Sequence, residues 1–221
     1  MTVRGNPSPD RAESCDCQEY FDTVAPAWDV MRQSFYSEAV RDAALSAARI
    51  EPGQTALDLG AGTGFITEAL LHVGLNVIAV DQSVAMLREL RSKCLIPPHL
   101  DCRVGNAEHL PLPDSTVNCV LANMLLHHVE HPAVAIREMA RVLRPGGRVV
   151  ITDLDEHAFE FLRREHQDRW MGFRRPDVTA WFSAAGLGQV SVGDIGQSCC
   201  ASSNCGTQHA AISIFLATGQ K

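Results

Sequence analysis

Positive charge is scarce in this 221-residue chain: 19 Lys and Arg stand against 26 Asp and Glu, a formal net charge of −7. That balance lacks the positive field needed to neutralise phosphates, which excludes a nucleic-acid wrapper and a membrane-surface binder. Long apolar runs are also missing. The longest uncharged one, Val117 to Leu126, falls far short of the roughly 20 residues that cross a bilayer. The opening MTVRGNPSPDRAE is polar and Pro-bearing, with no apolar stretch of the secretory kind, so the expected location is cytoplasmic. There is no internal repeat and no low-complexity tract. The 8 Cys are numerous, yet too dilute for a disulfide scaffold. In a reducing compartment such thiols stay free, bind a soft centre or fill core space.

What is present is a core: 46% of the residues are hydrophobic, with 16 Gly and 11 Pro, in a length that suits one large domain. Residues 1–50 are expected to form a flexible polar lead carrying Cys15 and Cys17, then a helical cap in pieces. The second piece, SEAVRDAALSAARI, has Ser37 and Glu38 at its start. Residues 51–221 alternate short apolar runs with amphipathic stretches. TALDLG, NVIAVD, DCRVG, VNCVLAN and RVVITDL have the length and two-sided apolar character of strands buried on both faces. Between them, ITEALLHV stops at Gly74, SVAMLRELRSK opens on Ser83, and PAVAIREMARVL has Pro132 in its first turn. Two more helices are expected, in EHAFEFLRREHQDRWMGF and PDVTAWFSAAG, followed by strands near QVSVGDI and AISIFLATG that flank a Ser- and Cys-rich loop from Gly196 to His209. Strand–helix alternation predicts a doubly wound α/β sheet with right-handed crossovers.

The strongest local signal is Leu57-Asp58-Leu59-Gly60-Ala61-Gly62-Thr63-Gly64-Phe65, where the first strand turns into a helix. Glycines at such a bend let a ligand approach the main chain. The spacing is G-x-G-x-G, whereas a dinucleotide fingerprint has Gly where Phe65 stands. Asp58 is wrong for a pyrophosphate and right for a cationic amino group. Asp81, ending the second strand, can accept ribose hydroxyls. An adenosine ligand that carries an amine and no phosphate points to S-adenosylmethionine.

The segments LDLGAGTGFIT, VIAVDQS, GNAEHLPLPDSTVNCVLANMLLHHV and REMARVLRPGGRVVITDL resemble the class I S-adenosylmethionine-dependent methyltransferases. The likeness is to the branch of the ubiquinone/menaquinone and arsenite methyltransferases. The resemblance covers close to half the chain. It implies a Rossmann-like seven-stranded sheet of order 3-2-1-4-5-7-6, with the seventh strand antiparallel. It also implies a cofactor held by Asp58, Gly60, Gly62, Gly64, Asp81, Gln82, Asn106, Ala107 and Asn123, although the family often has Asp where Asn106 stands.

Methyl transfer from a sulfonium is an in-line displacement, so alignment and water exclusion matter most. Where the acceptor must lose a proton, His127, His128, His131, Asp153, Asp155, Glu156 and His157 are near the cofactor edge in sequence order, and His128 and Asp155 are the chosen candidates. Each also has a structural reading, as a helix cap or as packing. By topology, Cys199, Cys200 and Cys205 fall at the same sheet edge as Cys15 and Cys17, a candidate soft-ligand cluster in which the first three are catalytic candidates. The expectation is therefore methyl transfer to a small soft acceptor, a trivalent metalloid such as arsenite or a small thiol. The alternative is C- or O-methylation of a small organic molecule such as a quinone precursor. A non-catalytic cofactor sensor is a third possibility, opposed by the intact Asp58, Asp81 and glycines. A monomer or homodimer is expected.

Overall fold

The computed structural model describes residues 13–94 and 99–221, with side chains from residue 17 onward. Helices α1 (Glu13–Val24), α2 (Trp28–Phe35) and α3 (Glu38–Ala48) come first. The core then alternates β1 (Thr55–Leu59), α4 (Phe65–His72), β2 (Asn76–Asp81), α5 (Val84–Lys93), β3 (Leu100–Val104) and β4 (Val117–Asn123). It continues with α6 (Pro132–Val142), β5 (Leu143–Leu154), α7 (Glu160–His166), α8 (Arg175–Ala184), β6 (Gly188–Ser202) and β7 (His209–Gln220). The seven strands form one sheet of order β3-β2-β1-β4-β5-β7-β6. Strands β1 to β5 run parallel, and β7 is antiparallel to both β5 and β6. This is the architecture expected from the sequence.

The strand alternation explains the two core layers. Leu57, Leu59, Val120 and Ala122 face one side, with Ile136, Met139 and Phe182. Ala56, Cys119 and Leu121 face the other, with Leu70, Leu75 and Ala44. The caps also form as their residues dictate. Ser37 accepts a hydrogen bond from the Ala39 amide at 3.3 Å, and Ser83 from the Met86 amide at 3.0 Å. Gly74, at φ +84°, follows the end of α4.

Three elements differ from expectation. Cys17, expected in a flexible lead, lies on α1; the side chain of Cys15 is outside the described residues. Helix α7 ends at His166, where Gln167 turns left-handed at φ 62°, because the Arg169 and Trp170 amides both donate to the His127 carbonyl, at 2.9 and 3.0 Å. Strand β6 runs on to Ser202, so the expected Cys-rich loop shrinks to a turn between Ser203 and Gln208. Among the described residues no helix is long and apolar enough to cross a membrane.

Candidate active site

Chain order reverses between β1 and β4, the place where an open parallel sheet leaves a crevice at its carboxyl edge. A cleft of about 1410 Å³, counting its open mouth, occupies that edge under α1 and α2.

The glycine bend is its floor. Gly60 and Ala61 amides donate to the Val80 carbonyl at 2.8 and 3.1 Å, pinning the loop to β2. Gly60 sits at φ +71°, and a side chain there would come within 2.8 Å of Leu125, at strain any L residue would feel. Asp81 accepts from the Gly62 and Ser83 amides, both at 2.8 Å. Burial raises its pKa, and those donors oppose the rise. Asp58 is 1% exposed and accepts from the Thr67 hydroxyl at 2.6 Å. Burial pushes its carboxyl up to about 7, and no basic side chain pairs with it among the described residues. A buried acid in that state is suited to a cationic amino group. Arg32 puts a buried cation in the same cleft. It is 5% exposed, lies 3.9 Å from the Phe65 ring centre, and leaves its Nε without a hydrogen-bond partner. Nothing in the sequence marks this arginine as buried.

The helical cap is tied to that floor by polar contacts. Thr63 donates its hydroxyl to Asp29 at 2.5 Å, and Lys93 reaches the same carboxylate at 2.6 Å. Asp22 accepts from the Ser83 hydroxyl at 2.5 Å, and Gln18 donates to the Gln82 carbonyl at 3.3 Å. The Trp28 indole lies 3.7 Å from where a side chain on Gly62 would begin.

The far end of the cleft is polar and buried. His127, in the 3-10 turn Leu126–His128, points Nδ1 at Asp153 across 2.7 Å. Asp153 also accepts from the Leu126 amide at 2.7 Å and the Leu154 amide at 2.8 Å. Burial would depress the His127 pKa, but the charge and hydrogen bond of Asp153 outweigh it and hold the ring at about 9. His128 lies well below its ordinary value through burial and the neighbouring His127 charge. Its Nδ1 is 3.2 Å from the Gln167 carbonyl, which can only accept, so Nε2 of the neutral ring carries the lone pair. The clamp on the His127 carbonyl brings Asp168, 4% exposed, to 3.9 Å from His127 Nε2.

Of the residues singled out from sequence, Asp58, Gly60, Gly62, Asp81, Gln82, Ala107, Asn123, His128, Cys17 and Cys199 all line this cleft. Asn123 donates Nδ2 to the Tyr36 hydroxyl at 3.2 Å and accepts from the Thr152 hydroxyl at 2.7 Å. Others do not. Gly64, at φ +105°, caps α4 beneath the loop and faces Leu90. Asn106 is exposed and accepts from the Glu108 amide at 2.7 Å, while its neighbours Gly105 and Ala107 reach the cleft. Asp155 is held by both arms of the Arg175 guanidinium, at 2.8 and 2.6 Å, which makes it a tie between β5 and α8. The thiols disperse. Because side chains alternate along β6, Cys199 faces the cleft and Cys200 the outer groove with Met31 and His209. Cys205 is exposed in the β6–β7 turn. Cys17 lies on α1 and lines the cleft, and the Cys15 side chain is outside the described residues. Among the described residues, the side chains grouped tightly enough for a metal are His127, His128 and Asp168.

A family model described as a methyltransferase domain matches residues 57–151. The chain is 34% identical over 142 residues to a demethylmenaquinone methyltransferase of Renibacterium salmoninarum, an alignment covering 63% of this chain and 59% of that protein. The chain spans roughly half to three-fifths of the length of curated relatives that it matches. Among solved structures, the [4+2]-cyclase SpnF superposes with TM-score 0.75 at 17% identity over 99% of both chains. Phosphoethanolamine N-methyltransferase 2 of Haemonchus contortus, in complex with S-adenosyl-L-methionine, superposes with TM-score 0.74 at 17% identity, over 98% of this chain and 61% of that one. Likeness at such identity speaks for the fold.

Proposed function

We propose, for a chain whose core is a class I S-adenosylmethionine-dependent methyltransferase domain, that it methylates a carbon or oxygen of a small, partly apolar organic molecule. The observation that carries this reading is the pairing, in one cleft, of the buried Asp58 and the half-buried Asp81 around a glycine bend with an apolar, aromatic acceptor side. Asp58 would hold the amino group of the methionine moiety and Arg32 its carboxylate. Asp81 would take the ribose hydroxyls, and the backbone at Gly105 and Ala107 would border the adenine. When bound, the cofactor supplies an electrophilic methyl carbon on a sulfonium.

The protein's own part is alignment and exclusion of water. The ties of Asp22 and Asp29 hold α1 and α2 across the mouth. Phe21, Trp28, Leu125 and Leu162 give the acceptor apolar walls, and His128 and Asp168 give it a polar edge. Well-oriented pairs gain on the order of 7–11 kcal/mol from such positioning. The soft acceptor expected first from the cysteines has weaker support. Cys17 and Cys199 do face the cleft, but burial pushes their thiols up to about 11 and about 12, away from the thiolate that a metalloid needs. The demethylmenaquinone methyltransferase relative favours the organic acceptor.

An acceptor screen that follows S-adenosylhomocysteine release tests this. Turnover is expected with a hydroxylated naphthoquinone precursor in its reduced form, and Cys199→Ser is expected to retain it. Turnover confined to arsenite or hydrosulfide, and lost in Cys199→Ser, would reverse the assignment.

A further inference from the structure

His127 and His128 are adjacent in sequence, yet each ring is fixed by a different acceptor: Asp153 at 2.7 Å for one Nδ1, the Gln167 carbonyl at 3.2 Å for the other. Both rings therefore have Nε2 free to serve as a donor to a cation when neutral. Metal-binding imidazoles are typically oriented in this way, by a carboxylate or carbonyl on the opposite nitrogen. A carboxylate completes the set: one donor atom each from His127, His128 and Asp168 lies within 4.8 Å of the others. Metal–ligand bonds of about 2.1 Å set donors roughly 3.4 Å apart in a tetrahedral site, so binding would draw the three side chains together by up to about 1 Å each. All three residues line the cleft, and so does His166, whose Nε2 is buried and without a hydrogen-bond partner.

We propose that His127, His128 and Asp168 form a site for one divalent first-row transition-metal ion at the acceptor end of the cleft. Two imidazoles and one carboxylate make a borderline donor set that leaves coordination positions open. Those positions face the cleft, where the cation would hold an ionised acceptor oxygen, its proton having passed to solvent. The cation site stands on the geometry of the three side chains. Its role toward the acceptor rests on the methyl-transfer reading.

The test uses the full chain, stripped with a chelator and titrated with Co(II), whose visible d–d absorption reports coordination without any turnover. One equivalent is expected to bind with such a band. His128→Gln and Asp168→Asn, with wild-type circular dichroism, are each expected to weaken binding at least about tenfold, while Cys199→Ser leaves the band unchanged. No stoichiometric Co(II) in the wild type, binding indifferent to both folded variants, or a band lost only in Cys199→Ser would overturn the site. Calorimetry with S-adenosylhomocysteine on the same samples separates the two readings. Heat without a Co(II) band overturns the metal site and leaves methyl transfer standing; a band without heat supports the metal site and overturns methyl transfer.

Discussion

Asp58 is the residue on which folding and the proposed cofactor binding pull in opposite directions. Its carboxyl, pushed up to about 7 by burial, is protonated in the fold over a range where the unfolded chain has already ionised. Between about 4 and 7 the native state therefore binds more protons, and the free protein loses stability as pH rises through that window. Asp58→Asn, which removes the charge, is expected to raise the melting temperature at pH 8 by several degrees and to leave it nearly unchanged at pH 4. The same substitution should weaken S-adenosylhomocysteine binding at least tenfold, measured by calorimetry. A variant that is no more stable at pH 8 would contradict the buried-acid account. The thiols give a second residue-scale prediction. Hydrogen bonds from Ser203 and Thr207 pull the exposed Cys205 thiol down to about 7, whereas burial pushes Cys199 up to about 12. Mass spectrometry after brief iodoacetamide treatment should show Cys205 alkylation rising between pH 6 and 8 while Cys199 stays unmodified. At this scale the sequence is legible where a motif fixes a turn, as at Asp58, Gly60 and Asp81. It does not distinguish His127 from His128, because a 3-10 turn and the amides of Arg169 and Trp170 decide which ring meets Asp153. Arg32 is invisible for the same reason, since its burial depends on Phe65 from another helix.

The N-terminal pair α1 and α2 lines the cleft and is tied to the Rossmann-like core by side-chain contacts. Asp22 caps the start of α5, accepting from the Ser83 hydroxyl and from the Ala85 amide at 3.4 Å. Asp22→Ala is expected to cost about 1 kcal/mol of global stability. Asp29→Ala, which frees Thr63 and leaves Lys93 the Glu68 carboxylate at 3.5 Å, should speed amide hydrogen exchange across residues 17–35 and leave β1 and β4 protected. Cofactor affinity should fall several-fold with it. Unchanged exchange over those residues would mean that apolar packing alone holds the cap. Central strands and capped helices were readable because burial on both faces, or a Ser, Pro or Gly at a terminus, leaves a mark in the residue pattern. The edge strand β6 was readable only in its first half, near QVSVGDI. Its exposed face carries Gly, Gln and Ser, which read as loop, and only pairing with β7 holds it extended to Ser202. Helix α7 stops seven residues early for a tertiary reason, the capture of the following amides by His127.

On the scale of the whole molecule, one sheet edge gathers the parts that the proposed reaction draws on: a glycine bend, the buried Asp58 and half-buried Asp81, an aromatic roof and an imidazole–carboxylate cluster. SpnF shows the same overall fold in a protein described as a cyclase, so the fold by itself leaves the reaction open. The discriminating chemistry lies in the side chains of the cleft. Its central claim, that the cleft takes a sulfonium nucleoside, has a direct measurement. Isothermal titration calorimetry with S-adenosylmethionine on the wild-type chain and on a folded Asp81→Ala variant should give saturable heat at one equivalent for the first and a signal at least tenfold weaker for the second. No heat from the wild-type chain, or equal heat from both proteins, would contradict the account.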